Sequence, residues 1–428
     1  MASTGKRRRR SNLSGKVCSI PHNQVRVDDL ERQIEESAVS PHSEQLTVDG
    51  WFVAPPAVEE LLSKVERRCE PLSEVCGKPS YGIKTGANEI FLIDAAKRAE
   101  LIAEHASSAK IIKPYFRGQD VERWYAEPSG DFMVFSRRGI EIDNYPAVKR
   151  YLREHRTRLK PKPDWWDAEN KRRLEAGGAE VAWRGRKAGS YKWYEIQDAV
   201  DYWEDFEKPK VVYQEIQTYP RYTYDDSGAY TNNKAFIIPT EHQWVAGILN
   251  SPFLWWRSWY RLPHMANDTL TPRGDLVVSF PMPKARNGFT EQCSKLVHEL
   301  TAEARTEFQL VVAIHDWLRM EYGVEKRTRN LDSPLSLTPD KFVDEVKKSR
   351  RKTMSSKAAV LSMVDLKRLR EEYARTIEPA TTRRREVARL ERELANLVNA
   401  AYGLTPDDIK LMWQTRPPRM PVGPPPEL

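Results

Sequence analysis

The sequence has little of what secreted and metal-binding proteins require. It contains four cysteines, Cys18, Cys69, Cys76 and Cys293, without paired spacing, and eight histidines without a His-x-x-x-His pair. A disulfide framework needs a denser cysteine pattern, and a zinc site needs closely spaced ligands. We therefore expect reduced thiols and no bound metal.

Long apolar runs are also missing. No stretch approaches the roughly 18 apolar residues that a membrane-spanning helix needs, and the N-terminus lacks the apolar core of a secretory signal. The sequence thus predicts a soluble, cytoplasmic protein that does not contact a membrane.

Charge is the main compositional feature. The 428 residues carry a formal net charge of +8, and 30% of them are charged. An excess of Lys and Arg favours a polyanionic partner. Residues 1–48 begin with the basic run 6–10 and are predicted to form a mostly disordered arm, which adds salt-dependent affinity for nucleic acid.

Hydrophobic periodicity divides the rest of the chain and predicts the α+β class. Short β-type runs alternate with a few helices up to about residue 285, and helical spacing of apolar residues dominates afterwards. The predicted units are an α+β domain at 49–285, a helix at 286–325 that Thr290 caps, a linker with a short helix at 326–357, a helical hairpin or bundle at 358–415, and a proline-rich tail at 416–428. The stretch 347–357, basic and serine-containing, is expected to be a connection between helices.

The segment 81–94 is the first candidate for chemistry. Gly82 and Gly86 flank Lys84 and Thr85, and glycine permits a positive φ or a close approach of the backbone to another molecule. The run 90–93 that follows is predicted to be a buried strand. The segment is either a contact for a phosphate or a base edge, or a tight turn with an exposed lysine.

Further candidates follow along the chain. Arg117 can reach a guanine edge or a phosphate, whereas Asp120 and Arg123 can instead pair and fix a turn. Residues 165–203 interleave aromatic and cationic side chains, which can stack on bases and hold phosphates or simply anchor a loop-rich core. The turn 225–228 predicts a β-hairpin, after which Asn232 can pair with adenine or cap the turn.

A nuclease site is the competing interpretation. Asp164, Glu169 and Lys171 imitate the acidic pair and lysine of a metal-dependent nuclease, but their spacing is too short to bridge two strands. A metal-dependent nuclease therefore remains only an alternative.

Five segments follow one another in a distinctive order: GIKTGANEIFLID at 82–94, KPYFRGQDVERW at 113–124, KWYEI with EKPKVVYQEI at 192–196 and 207–216, NNKAFII with GILNSPF at 232–238 and 247–253, and FPMP at 280–283. Together they resemble the TaqI-like target-recognition (specificity) domain of fused restriction-modification and phage-exclusion DNA adenine methyltransferases. The end of the chain, NLVNAAYGLTPDDIKLM at 396–412, is similar to the end of those enzymes. The resemblance spans roughly residues 50–415.

The resemblance implies recognition of double-stranded DNA without catalysis in this chain. Those methyltransferases carry an Asn-Pro-Pro-aromatic loop and a glycine-rich loop for S-adenosylmethionine, and neither is found here. About 80 residues precede Gly82, too few for a doubly wound cofactor domain. A separate methyltransferase or defence-system subunit is expected to supply S-adenosylmethionine chemistry, with magnesium as a second candidate cofactor of that partner. A structural or regulatory DNA-binding protein of a defence system is the other alternative.

The expected DNA contacts come from these segments together. The residues are Lys84, Thr85, Asn88, Lys113, Arg117, Arg123, Arg137, Arg138, Arg184, Arg186, Lys187, Lys192, Trp193, Tyr194, Asn232, Asn233 and Lys234. No catalytic, cofactor-binding or metal-binding residue is predicted in this chain.

Overall fold

The computed structural model describes residues 26–38, 46–47, 50–51, 54–127, 130–284, 286–353 and 360–425. The basic run 6–10 lies outside them. Within the predicted N-terminal arm, the described residues include a helix, Leu30–Ser37. The architecture is α+β, as the sequence predicts.

The helices, in chain order, are α1 Leu30–Ser37, α2 Pro56–Glu66, α3 Leu72–Val75, α4 Asn88–Phe91, α5 Ala95–Glu104, α6 Pro146–Glu154, α7 Arg156–Leu159, α8 Trp166–Glu175, α9 Glu204–Glu207, α10 Trp244–Leu249, α11 Pro252–Arg261, α12 Gly274–Val277, α13 Asn287–Tyr322, α14 Pro339–Thr353, α15 Met363–Glu372, α16 Glu378–Ala401 and α17 Pro406–Gln414.

The strands are β1 Leu46–Thr47, β2 Gly50–Trp51, β3 Glu70–Pro71, β4 Ser80–Tyr81, β5 Leu92–Ile93, β6 Ile112–Phe116, β7 Phe132–Val134, β8 Lys210–Gln214, β9 Tyr222–Asp225, β10 Tyr230–Thr231, β11 Ala235–Pro239, β12 His264–Met265, β13 Thr269–Leu270 and β14 Pro281–Met282.

Two four-stranded sheets form the centre of the α+β part. The first sheet has the order β10-β6-β7-β5, with β10 parallel to β6, and the second has the antiparallel order β4-β11-β8-β9. The chain passes from the second sheet to the first between β9 and β10, and it returns between β10 and β11. The predicted hairpin at 225–228 is therefore wrong, because the strands on either side of this turn belong to different sheets.

The second sheet lies between two hydrophobic cores. Successive strand residues point to opposite faces, so Val211 and Phe236 pack with the helices α2, α10, α11, α13 and α16, whereas Val212 and Ile237 pack with the first sheet. Both faces are buried, which fixes the register of β8 and β11 because a one-residue slip would exchange the two faces.

The C-terminal part is helical, as predicted, with corrections at several element ends. Helix α13 begins at Asn287 with Arg286 as its N-cap, so Thr290 lies inside the first turn and is not the cap. Gly323 ends the helix at φ 61°, a conformation that glycine adopts without strain. Helix α14 continues to Thr353 through much of the stretch predicted as a connection, of which residues 354–359 lie outside the described part.

A π-helical segment, Tyr373–Ile377, joins α15 to α16. Beyond Gly403, Thr405 caps α17 by accepting a hydrogen bond from the Asp408 backbone N–H, and Asp408 returns the bond in a capping box. This pattern is the one expected for a Ser/Thr residue followed three positions later by an acidic side chain.

Candidate nucleic-acid interface

Three of the family-like segments, at 82–94, 113–124 and 232–238, meet where the chain returns from the first sheet to the second. Residues 232–234 make this crossing, and Gly82 and Gly118 pack against it. A Cβ atom on Gly82 would lie 1.9 Å from the Asn232 carbonyl oxygen, and one on Gly118 would lie 2.9 Å from the Lys234 Cβ. Both positions therefore require glycine because backbone approaches backbone.

The turn at 82–88 is held by its own polar groups and by hydrogen bonds with other segments. The Thr85 hydroxyl donates to Asn88 Oδ1 at 2.7 Å and accepts from the Ala87 N–H at 3.2 Å. Thr85 is buried, while Lys84 and Asn88 are exposed. The run 90–93 is not one strand as predicted: it finishes the single turn of α4, and the two residues of β5 follow.

A surface groove opens beside the crossing. One part of about 540 Å³ is lined by Asn88, Glu89, Leu92, Ile93, Asp94, Tyr115, Arg117, Gly118, Gln119, Asp131, Asn232 and Lys234. An adjoining part of about 270 Å³ is lined by Gly118, Gln119, Gln214, Glu215, Ile216, Arg221 and Lys234. We call the two parts together the crossing groove. It brings together Asn88, Arg117, Asn232 and Lys234 of the predicted contacts.

The walls of the crossing groove carry mixed charge. The cationic side chains are Arg117, Arg221 and Lys234, and the anionic ones are Glu89, Asp94, Asp131 and Glu215. Lys234 lies 3.5 Å from Glu215. The groove is therefore rich in directional hydrogen-bonding groups without being a cationic surface.

Tyr115 forms part of the groove floor. The residue is fully buried, and its hydroxyl has no hydrogen-bond partner at ordinary geometry within the described residues. Burial raises the pKa of Tyr115 to about 12, although the nearby Arg117 and Asn232 side chains lower it somewhat. The phenol is therefore protonated at neutral pH and can donate or accept a hydrogen bond.

A second surface gathers four of the nine remaining predicted cations. The basic loop cluster comprises Arg137, Arg138, Lys187, Lys192, Trp193 and Tyr194. Buried Glu195 joins its two loops, because the carboxylate accepts from the Gly139 N–H at 3.0 Å and from the Lys192 N–H at 2.8 Å.

Most cations of the cluster face solvent. Arg137, Lys187 and Lys192 are exposed, whereas Arg138 is half-buried and donates to the Gln197 carbonyl at 2.6 Å. The guanidinium of Arg156 lies 5.4 Å from the Trp193 ring and adds another cation to this surface. Cations beside partly exposed aromatic rings suit a phosphate backbone.

Arg186 does not belong to either surface, so its predicted role as a DNA contact needs correction. Only 4% of the residue is exposed, and burial lowers its pKa to about 10. Its guanidinium donates five hydrogen bonds, to the carbonyl oxygens of Leu159, Thr85, Glu195, Lys192 and Trp193, at 2.7–3.2 Å. Arg186 therefore ties the turn at 82–88 to the basic loop cluster from inside the molecule.

Arg123 is likewise used within the chain. Its Nε donates to Glu391 of α16 at 2.6 Å, and its Nη1 donates to the Asn250 carbonyl at 2.8 Å. It does not pair with Asp120, whose carboxylate accepts from the Arg117 N–H at 2.8 Å. The predicted role of Arg123 in DNA binding is replaced by one in joining the α+β part to the helices.

The other predicted contacts lie apart from the groove lining. Lys113 pairs with Glu207 at 2.5 Å, Arg184 is exposed in the segment after α8, and Asn233 is half-exposed within the crossing. Sequence reasoning overlooked the groove residues Gln119, Asp131, Gln214 and Arg221. For Gln119 the signal was available, since it follows the glycine that the crossing requires.

Among the described residues, no three His, Cys, Asp or Glu side chains come together as a metal-binding group. No helix in the described part of the chain has both the length and the apolar character to cross a membrane.

The chain is similar to restriction-modification proteins. Residues 113–261 match the family model of the TaqI-like C-terminal specificity domain, and residues 287–398 match a domain of unknown function, DUF8810. Among solved structures, the type IIL restriction-modification enzyme MmeI in complex with DNA shares 14% identity at a TM-score of 0.38, over 73% of this chain and 36% of that enzyme.

A second solved structure, the type IIG restriction endonuclease BpuSI, shares 10% identity at a TM-score of 0.36, over 81% of this chain and 33% of that one. The chain thus spans about a third of the length of both enzymes, and neither TM-score supports an argument on its own. The family model covers the second to fourth family-like segments and leaves out the first, at 82–94, and the fifth, at 280–283. Residues 113–261 are therefore similar to the TaqI-like C-terminal specificity domain.

Proposed function

We propose that this chain recognises a short double-stranded DNA sequence as the specificity component of a restriction-modification or phage-defence methyltransferase. The observation that carries the proposal is the crossing groove, in which three separate segments place amide, guanidinium and ammonium groups on one surface. Such side chains read base edges in DNA grooves. The family match over residues 113–261 supports the same function.

The basic loop cluster has a complementary role in this proposal. Its cations and aromatic rings hold the phosphate backbone and position the duplex, whereas the groove reads sequence. Helices α13 and α16 serve as the spacer and docking surface for a separate catalytic chain, and Glu391 of α16 binds Arg123. That partner supplies S-adenosylmethionine and, where required, magnesium, and the complex acts on DNA in the cytoplasm.

Selection from a random duplex library by the purified chain, at two salt concentrations, tests the proposal. We expect one short sequence to be enriched and to remain enriched at the higher salt, because base contacts depend less on salt than phosphate contacts do. Binding without sequence preference that collapses as salt rises would overturn the proposal. Equal affinity of the chain for single strands of the same sequences would also contradict it.

A further inference from the structure

The guanidinium of Arg117 is held in one orientation at the groove wall. Its Nε donates to Asp131 Oδ2 at 2.9 Å, and its Nη2 donates to the same oxygen. Asp131 raises the pKa of Arg117 further. Nη1 has no acceptor among the described residues, so the end of the guanidinium formed by Nη1 and Nη2 still offers two parallel N–H donors. Arg117 is 49% exposed and lines the groove, so this free end is open to a ligand there.

The crossing residues beside Arg117 also favour donation. Asn232 Oδ1 accepts from the Lys234 backbone N–H at 3.1 Å. Because a backbone N–H can only donate, this bond fixes the orientation of the Asn232 amide and makes Nδ2 its remaining donor end. The Lys234 ammonium adds further donors. This part of the groove therefore offers hydrogen-bond donors to a ligand that carries acceptors.

DNA offers two kinds of hydrogen-bond acceptor, phosphate oxygens and base edges. The mixed charge of the groove walls favours one of them. A phosphate oxygen would meet three cationic and four anionic side chains on the groove walls, and the carboxylate of Asp131 stands directly beside Arg117. A base edge carries no net charge and depends on directed hydrogen bonds instead. The groove composition thus favours a base over the backbone.

We propose that Arg117 reads a guanine in the major groove, with Asp131 as its positioning residue. Guanine presents two adjacent acceptors, O6 and N7, which match the paired N–H groups of a guanidinium, whereas adenine and cytosine each present an amino donor there. This inference rests on the proposed function and deepens it, because it names the base that one residue specifies.

The test compares library selections by the wild-type chain, Arg117→Ala and Arg150→Ala. Arg150 is the matched control: it is 48% exposed and pairs with Glu104, and it is absent from the groove lining. We expect Arg117→Ala to lose the preference for guanine at one position of the selected sequence and to keep the preferences elsewhere. Arg150→Ala is expected to select the wild-type sequence.

Atomic substitution in the DNA then locates the contact. Replacing the specified guanine with 7-deazaguanine removes the N7 acceptor and should weaken wild-type binding by roughly tenfold or more, within the range for one bidentate base contact. The same replacement should change the binding of Arg117→Ala little, since the interacting group is already gone. Asp131→Asn should reduce the guanine preference by a smaller factor, and its thermal unfolding serves to exclude misfolding.

The outcomes separate the two proposals. Uniform weakening of all sequences by Arg117→Ala, with a lower salt slope, would show a phosphate contact and overturn the guanine assignment alone. Equal 7-deazaguanine effects on the wild-type chain and on Arg117→Ala would overturn it too. A wild-type selection without any enriched sequence would instead overturn the proposed function, and the guanine assignment with it.

Discussion

The crossing groove and the basic loop cluster both contain Arg and Lys side chains, but these cations differ in whether a carboxylate stands beside them. In the groove, Arg117 and Lys234 each stand near a carboxylate, and acidic side chains outnumber basic ones on the walls. In the cluster, Lys187 and Lys192 face solvent without a carboxylate partner among the ion pairs of the described residues. The two surfaces therefore suit different tasks. A cation that a carboxylate holds in place donates oriented hydrogen bonds, whereas a cation without such a partner attracts phosphate.

The largest expected effect comes from breaking the internal link between the two surfaces. Arg186→Met would remove one donor from each of five backbone carbonyl oxygens, and we expect it to lower the free energy of unfolding by about 3 kcal/mol or more. Affinity for every DNA sequence should fall with it. Chemical denaturation and duplex binding measure both effects. Arg184→Met, at an exposed neighbour, is the control for stability, and an equal loss of unfolding free energy in both variants would show that Arg186 is not the link.

The second largest effect is expected from a variant that changes the crossing groove and leaves the basic loop cluster intact. Gly82→Ala would force a Cβ to within 1.9 Å of the Asn232 carbonyl oxygen, so the crossing must shift at a cost of about 1–3 kcal/mol. We expect the selected sequence to lose its advantage over random DNA, while the salt-dependent binding of random DNA stays close to wild type. Competition binding with both duplexes measures this.

Gly288→Ala provides the matched comparison for that variant, because no atom lies within 4 Å of the Cβ it would add. A Gly82→Ala chain that kept its full preference for the selected sequence would contradict the role of the crossing in readout.

The smallest expected effect concerns the basic loop cluster. Lys187→Ala combined with Lys192→Ala should weaken binding to all sequences by a similar factor and lower the slope of log K against log salt by roughly two, about one for each phosphate contact. The sequence preference should remain. Titrations at four or more salt concentrations give the slope, and a change in the selected sequence would show that these lysines read bases.

Local patterns in the sequence predict the elements but not the meeting points of distant segments. The apolar runs predict the strands around residues 112, 133, 212 and 236, because burial on a sheet demands such residues. The local sequence of the turn at 225–228 is compatible both with a hairpin inside one sheet and with a connection to a second sheet. Its continuation, β10, pairs with residues 115 and 116, and nothing in the local sequence encodes that separation.

The site residues show the same limit. Arg186 lies in a glycine-containing, cationic stretch that resembles an exposed loop, yet carbonyl groups of residues 85, 159 and 192–195 surround it. Gly82 was expected to allow a close backbone approach, and it does, although the approaching backbone is the chain's own at Asn232. Asp131 was overlooked because its role depends on Arg117 and the crossing, which only the folded chain brings together.

Trp124 shows how one segment serves both halves of the molecule. It has a positive φ of 71°, which is uncommon for a bulky residue, and its indole N–H donates to Glu391 at 2.7 Å while its carbonyl accepts from Thr301. Seven residues earlier the same segment supplies Arg117 to the groove.

Exchange of recognition modules between related proteins is therefore constrained. A transplanted groove wall that includes Arg117 also brings Arg123 and Trp124, and these need a carboxylate on the recipient's helix at the place of Glu391. New sequence preferences are thus most readily engineered by single substitutions at the groove. The segment between Val121 and Tyr125 should stay unchanged because it connects the groove to the helices.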